Sequence, residues 1–226
     1  METPSQDEQQ RHRYGLLLVI LLTTYLLSAF LHARWLGAFE LAMFTVAGLL
    51  ALRNTPLRSA VVRLAITTAI ALSVVMIVIF FSIDTPTGRG IAGIWTGLLL
   101  LLTVGLLLRQ VLLLPTVTLQ SIFGAISAYL IIGLMFATFY SAINNLQGGF
   151  FAGGQPANLS TFQYFSFTTL TTLGYGDFTP VTNGARAVAM IEAMSGQIFL
   201  ATLVARLVSA FRPSGRAPSL GHPDDD

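Results

Sequence analysis

The sequence predicts an all-α membrane protein with six transmembrane helices and a re-entrant helix and loop between the fifth and the sixth. Three observations predict it. The 226 residues are 54% hydrophobic and only 10% charged, and the mean hydropathy of +0.73 lies outside the range of soluble domains. Six apolar runs are long enough to cross a bilayer, which takes about 20 residues. Between the last two runs the polar stretch TTLTTLGYGDFTP, residues 168–180, breaks the oily pattern.

Composition also excludes. Without cysteine there are no disulfides and no thiolate metal sites. All twelve basic residues are arginine, and they punctuate the ends of apolar runs instead of clustering as a nucleic-acid footprint would. His12, His32 and His222 have no partners at metal-ligand spacing. Acids are few. An enzyme, a bound cofactor and a nucleic-acid partner are therefore not expected.

After an N-terminal tail at 1–13, four runs at 15–31, 36–52, 60–82 and 91–109 make a four-helix region over 14–110. The first run could pass for a signal peptide, but its apolar region is too long and no small-x-small cleavage site follows. Run four carries no charge before Arg109, whereas a voltage sensor needs repeated arginines that cross the field. Voltage gating is thus disfavoured. Arg53, Arg58 and Arg63 flank a turn at Pro56 and fix topology, with lipid headgroup binding as the alternative. Glu40 can reach the outer interface near Arg34, and Trp35 and Trp95 read as interface anchors. With the amino terminus inside, Arg11, Arg13, Arg53, Arg58, Arg63, Arg109, Arg206, Arg212 and Arg216 lie inside, against Arg34, Arg89 and Arg186 outside. The positive-inside rule then puts both termini in the cytoplasm, in a multi-pass cell-membrane protein. Residues 212–226 form a polar, disordered tail, too short for a ligand-sensing domain.

The two longer runs, 116–143 and 185–211, flank the interruption. Residues 144–159 are rich in Gly and Asn and read as an exposed loop. Ser160 with Gln163 makes a capping-box signature, STFQYFSFTTLTTL a helix that enters and stops, and GYGDFTP the return. Such backbone survives at membrane depth only when buried in protein or lining water. A dehydrated cation needs oxygens in place of its water shell. Successive carbonyls provide them if they point one way, and Gly174 and Gly176 permit the left-handed dihedrals this takes. Thr172 adds a hydroxyl at the inner mouth, and the short helix aims its negative end at the cation. One chain supplies one strand, so a closed ring requires a symmetric oligomer.

TLGYG at 172–176 closely resembles the potassium-channel signature, whose filters are built from four TVGYG loops. The resemblance covers 116–211 as outer helix, pore helix, filter and inner helix, in a six-span bacterial type without an arginine-rich sensor. It implies a homotetramer that conducts K+ along its axis. The ion ladder would be the carbonyls of Thr172, Leu173, Gly174 and Tyr175 with the Thr172 hydroxyl, closed by Gly176. Asp177 corresponds to the aspartate that braces the outer mouth, and Thr168, Thr171 and Tyr164 would support the filter. Gly196 falls at a frequent hinge position, although close helix packing is an equal reading. Leu173 replaces the commoner valine or isoleucine. Tyr164 and Phe165 stand where many relatives carry a tryptophan-rich pair, and Thr168 where some carry a glutamate. Glu192, an intramembrane carboxylate, either draws cations toward the cavity or sits behind the filter against pore-helix hydroxyls. The competing readings are a weakly selective cation channel, a secondary cation transporter subunit and a non-conducting scaffold. The transporter lacks the second broken helix it should have.

Overall fold

The computed structural model describes residues 18–23, 25, 26, 72, 73, 75, 85–113, 118–154 and 157–210. The expected span at 36–52, about half of that at 15–31, nearly all of that at 60–82, and both tails lie outside the described residues, as do Arg34, Trp35, Glu40, Arg53, Arg58, Arg63 and all three histidines. Among the described residues from 85 on, four α-helices follow one another: α1 (Pro86–Leu113), α2 (Leu119–Gln147), α3 (Leu159–Leu170) and α4 (Asn183–Ala210), with a 3-10 turn at Ala152–Gly154; the described residues at 18–23 and 72–73 are helical too. Among the described residues, α1, α2 and α4 contain stretches long and apolar enough to cross a membrane. At 12 residues, α3 rises only about 18 Å and cannot.

Caps set the ends. Proline opens α1, where its missing N–H costs nothing, and Thr85 Oγ1 accepts from the Gly88 amide at 3.2 Å. Thr118 caps α2 in a reciprocal pair with Ser121, and Gly148, at φ +75°, ends it. The helices run somewhat past the apolar runs at 91–109 and 116–143, because their polar flanks still pair in the backbone ladder.

α1 lies antiparallel along α2. A Cβ at Gly93 would press on Ala142 and the Thr138 carbonyl, and one at Gly97 would enter the Phe139 ring. This is the small-xxx-small spacing that lets apolar helices approach where no hydrophobic force draws them together. α3 is wedged between α2 and α4, and a glycine from each helix makes the room. Gly133 of α2 receives the Phe167 ring, while a Cβ on Gly196 of α4 would overlap the carbonyl oxygen of Leu170. α4 buries one stripe, Ala185, Glu192 and Gly196, with Val188, Ala189 and Phe199 beside it. Its other faces carry Met190, Ile191, Met194, Ile198, Val204 and Val208, all exposed in the single chain.

The expectation of an exposed loop over 144–159 is corrected. Asn144–Gln147 complete α2, and Phe150 and Phe151 are 2% and 3% exposed. Phe150 packs on Tyr140, Phe162 and Phe165, and Phe151 on Phe162, Phe165 and Phe178. The glycines on either side mark turns, but the aromatic pair between them is an anchor that turn statistics do not register.

Replacing Gly196 with alanine forces overlap with backbone that cannot swing aside, so it should destabilise the fold by about 1–3 kcal/mol. Gly105→Ala, with open space at its Cβ, should be neutral or slightly stabilising. Thermal unfolding of both variants in detergent checks the contrast.

Candidate functional site

The segment that interrupts the apolar pattern begins at a cap. Asn158, in extended conformation, accepts the Thr161 amide on its Oδ1 at 2.9 Å. The Ser160–Gln163 capping box is therefore corrected: the helix starts two residues earlier, Ser160 donates to Asn158 and Gln163 is buried. Asparagine caps as well as serine, so the earlier polar residue took the role.

The other end decides the path of the chain. A helix leaves its last four carbonyls without partners, and here each finds one. Phe167 O accepts from the amide and hydroxyl of Thr171, at 3.1 and 2.7 Å. Thr168 O accepts from the Gly174 amide at 3.1 Å, and Thr169 O from the Thr172 amide at 2.9 Å. Leu170 O accepts from the Tyr129 hydroxyl of α2 at 3.3 Å.

Beyond α3, φ alternates in sign. It is positive at Thr172 (+57°), Gly174 (+53°) and Gly176 (+79°), and negative at Leu173 and Tyr175. Glycine takes such angles freely, whereas a β-branched threonine does so at a cost of about 1–3 kcal/mol. Thr172 is the one non-glycine described residue with positive φ. Such alternation turns successive peptide planes so that neighbouring carbonyls need not oppose one another as they do in a strand. The whole segment 171–177 is exposed, with Leu173 at 56% and Tyr175 at 67%.

Side chains hold this segment at both ends. Tyr164 of α3 donates to Asp177 Oδ2 at 2.8 Å, and its ring stacks on Tyr175 with centroids 6.4 Å apart and planes 3° from parallel. Asp177 Oδ1 accepts the Phe178 amide. Residues 178–181 then lie against the Phe150–Phe151 anchor through Ala152 N–H to Thr179 O and Val181 N–H to Phe150 O. At the other end Gln197 of α4 donates from Nε2 to Thr172 Oγ1 at 3.3 Å, while that hydroxyl donates to Thr171 O at 2.7 Å. Behind α3, Glu192 is 0% exposed, with Oε2 taking a 2.6 Å hydrogen bond from the Tyr140 hydroxyl and Oε1 against the Ser166 hydroxyl.

A family model described as "Ion channel" matches residues 125–212. Over these residues the chain is similar to the ion-channel family. The match runs from within α2 to just past the end of α4, so it takes in most of α2, all of α3 and α4, and the segment between them. No curated protein and no solved structure matches the chain.

Within the matched region, the sequence-selected residues meet in part. Tyr164, Tyr175 and Asp177 form one contact group, and Glu192 and Gly196 both press on α3. Thr168 and Thr171 do not reach Asp177; their hydroxyls bond back to Phe165 O and Phe167 O inside the helix. Four residues were missed by sequence reasoning: Tyr129, Tyr140, Ser166 and Gln197. The signal for the first two was a tyrosine inside an otherwise apolar run, a polar handle that needs a partner when buried. Chemically, the region offers oxygens rather than a metal cluster: among the described residues no group of three His, Cys, Asp or Glu side chains could hold an ion.

Because Tyr164 and Asp177 act through one bond, Tyr164→Phe and Asp177→Asn should each weaken the outer segment. The double variant should be little worse than either single one, with coupling of about 0.5–1.5 kcal/mol. A double-mutant cycle on ion occupancy or conduction checks it.

Proposed function

We propose that the chain is a subunit of a potassium-selective channel, four copies of which surround a single axial filter. The observation that carries the reading is TLGYGD at 172–177 with φ alternating from Thr172 to Gly176, inside a chain that matches an ion-channel family. On this reading the carbonyls of Thr172, Leu173, Gly174 and Tyr175, with the Thr172 hydroxyl, replace the hydration shell of K+. Flux is passive, and ions queued in the ladder weaken one another's binding.

Three features support the quaternary part. The segment 172–176 is exposed in one chain and can enclose an ion only when several copies face a common centre. The apolar face of α4 has no cover among the described residues, and neighbouring subunits would supply it. Thr172 keeps a costly dihedral, as strained residues do where function demands them. In this reading α3 and the return after it are re-entrant, and the runs at 15–31, 36–52 and 60–82 complete six spans. The arginine bias supports cytoplasmic termini and a place in the cell membrane.

Gly174→Ala puts a side chain on a residue at φ +53°. It should abolish K+ flux or erase selectivity in liposomes carrying a K+ gradient. Reversal potentials in mixed K+ and Na+ give the readout. Undiminished, equally selective current in this variant would refute the ladder, and equal K+ and Na+ permeability of the unaltered protein would favour a weakly selective channel.

A further inference from the structure

The Ser166 hydroxyl oxygen of α3 lies 2.6 Å from the Gly133 carbonyl oxygen of α2 and closer still to Oε1 of Glu192 on α4. A serine hydroxyl has one proton to donate, and a backbone carbonyl can only accept. If Ser166 donated to Glu192, its oxygen and that of Gly133 would face each other across 2.6 Å with no proton between them. If it donates to Gly133, the contact with Oε1 needs a proton from the other side. The other carboxyl oxygen, Oε2, already accepts from Tyr140.

We propose that Glu192 is held as a neutral carboxylic acid, so that Tyr140 donates to Glu192, Glu192 to Ser166 and Ser166 to Gly133, in a single directed chain that positions α3 between α2 and α4. The surroundings agree with the proton count. Glu192 is wholly buried, and the groups facing it from the described elements are the hydroxyls of Ser166 on α3 and of Tyr140 and Tyr129 on α2, with no cation among them. A carboxylate enclosed without a counter-charge carries a desolvation cost that a shared proton removes. Ser166 lies one helical turn before Leu170, so the chain of hydroxyls grips the end of α3 from which the 171–177 segment departs. Glu192 is a positioning residue in this account. Its role in conduction rests on the channel reading above, but its protonation state does not.

Infrared spectroscopy of the full chain in lipid vesicles at neutral pH tests the state without any ion flux. A protonated-carboxyl stretching band is expected, lost in Glu192→Gln and moved to higher frequency in Ser166→Ala, which removes the acceptor of the acid proton. No such band in the unaltered protein overturns the proposal, as does a band that Ser166→Ala leaves unshifted; the latter comparison holds even if Glu192→Gln fails to fold. A glutamine amide donates and accepts as the neutral acid does. Glu192→Gln should therefore recover most of the K+ flux that Glu192→Ala loses, a loss of about tenfold or more. Equal damage from both variants would overturn the positioning role.

Discussion

A helix that stops among apolar side chains must leave no carbonyl unanswered, and α2, α3 and α4 are arranged around that requirement at the end of α3. Three of the four terminal carbonyls are met from the chain just beyond, by Thr171, Thr172 and Gly174, and the fourth by Tyr129 of α2. Water could perform this duty at a soluble surface, but not in a lipid interior. The solution fixes the direction in which the chain continues. Two amides of the 172–176 segment are turned back toward the helix, and the alternating φ angles follow from that turn. Backbone economy at the helix end and the oxygen-rich segment beyond it are therefore one construction.

Close approach is the second theme. Helices that cross a membrane have no hydrophobic force between them, so van der Waals fit and buried polar contacts must hold them. Gly93 and Gly97 let α1 meet α2, and Gly133 and Gly196 let α2 and α4 close on α3 from two sides. Where apolar fit ends, hydroxyls take over, joining Tyr140, Glu192 and Ser166 across three helices. The outer end is held differently, by an aromatic cluster in which Phe150 and Phe151 fill the space between α2, α3 and the chain after Asp177. The result is a short helix clamped along its length, while the segment after it and the far faces of α4 stay open among the described residues.

Much of this was legible in the sequence, for identifiable reasons. Length and hydropathy mark α1, α2 and α4, because a bilayer sets a minimum run. TLGYGD stood out because threonine and glycine are out of place among aliphatic residues, and glycine at 174 and 176 foretold positive φ. Thr172 at +57° could not be foretold, since residue type argues against it and the bond it accompanies, from the Gly174 amide back to Thr168 O, exists only in the folded chain. The choice of Asn158 over Ser160 as cap was a contest between two suitable residues that spacing alone does not decide. The aromatic pair at 150–151 lay hidden in a composition that signals turns. The pairings of Tyr140, Ser166 and Gln197 could not be read off, because their partners lie 52, 26 and 25 positions away in the chain.

The fit of Leu170 against Gly196 joins two parts of the molecule mechanically. The oxygen in the notch is the last carbonyl of α3, two residues before Thr172. α4 cannot pivot at that notch without dragging the start of the 171–177 segment along with it. Movement at the far end of α4 and distortion of that segment would then be a single lever stroke, leaving the molecule little freedom to shut one door while the other stays open.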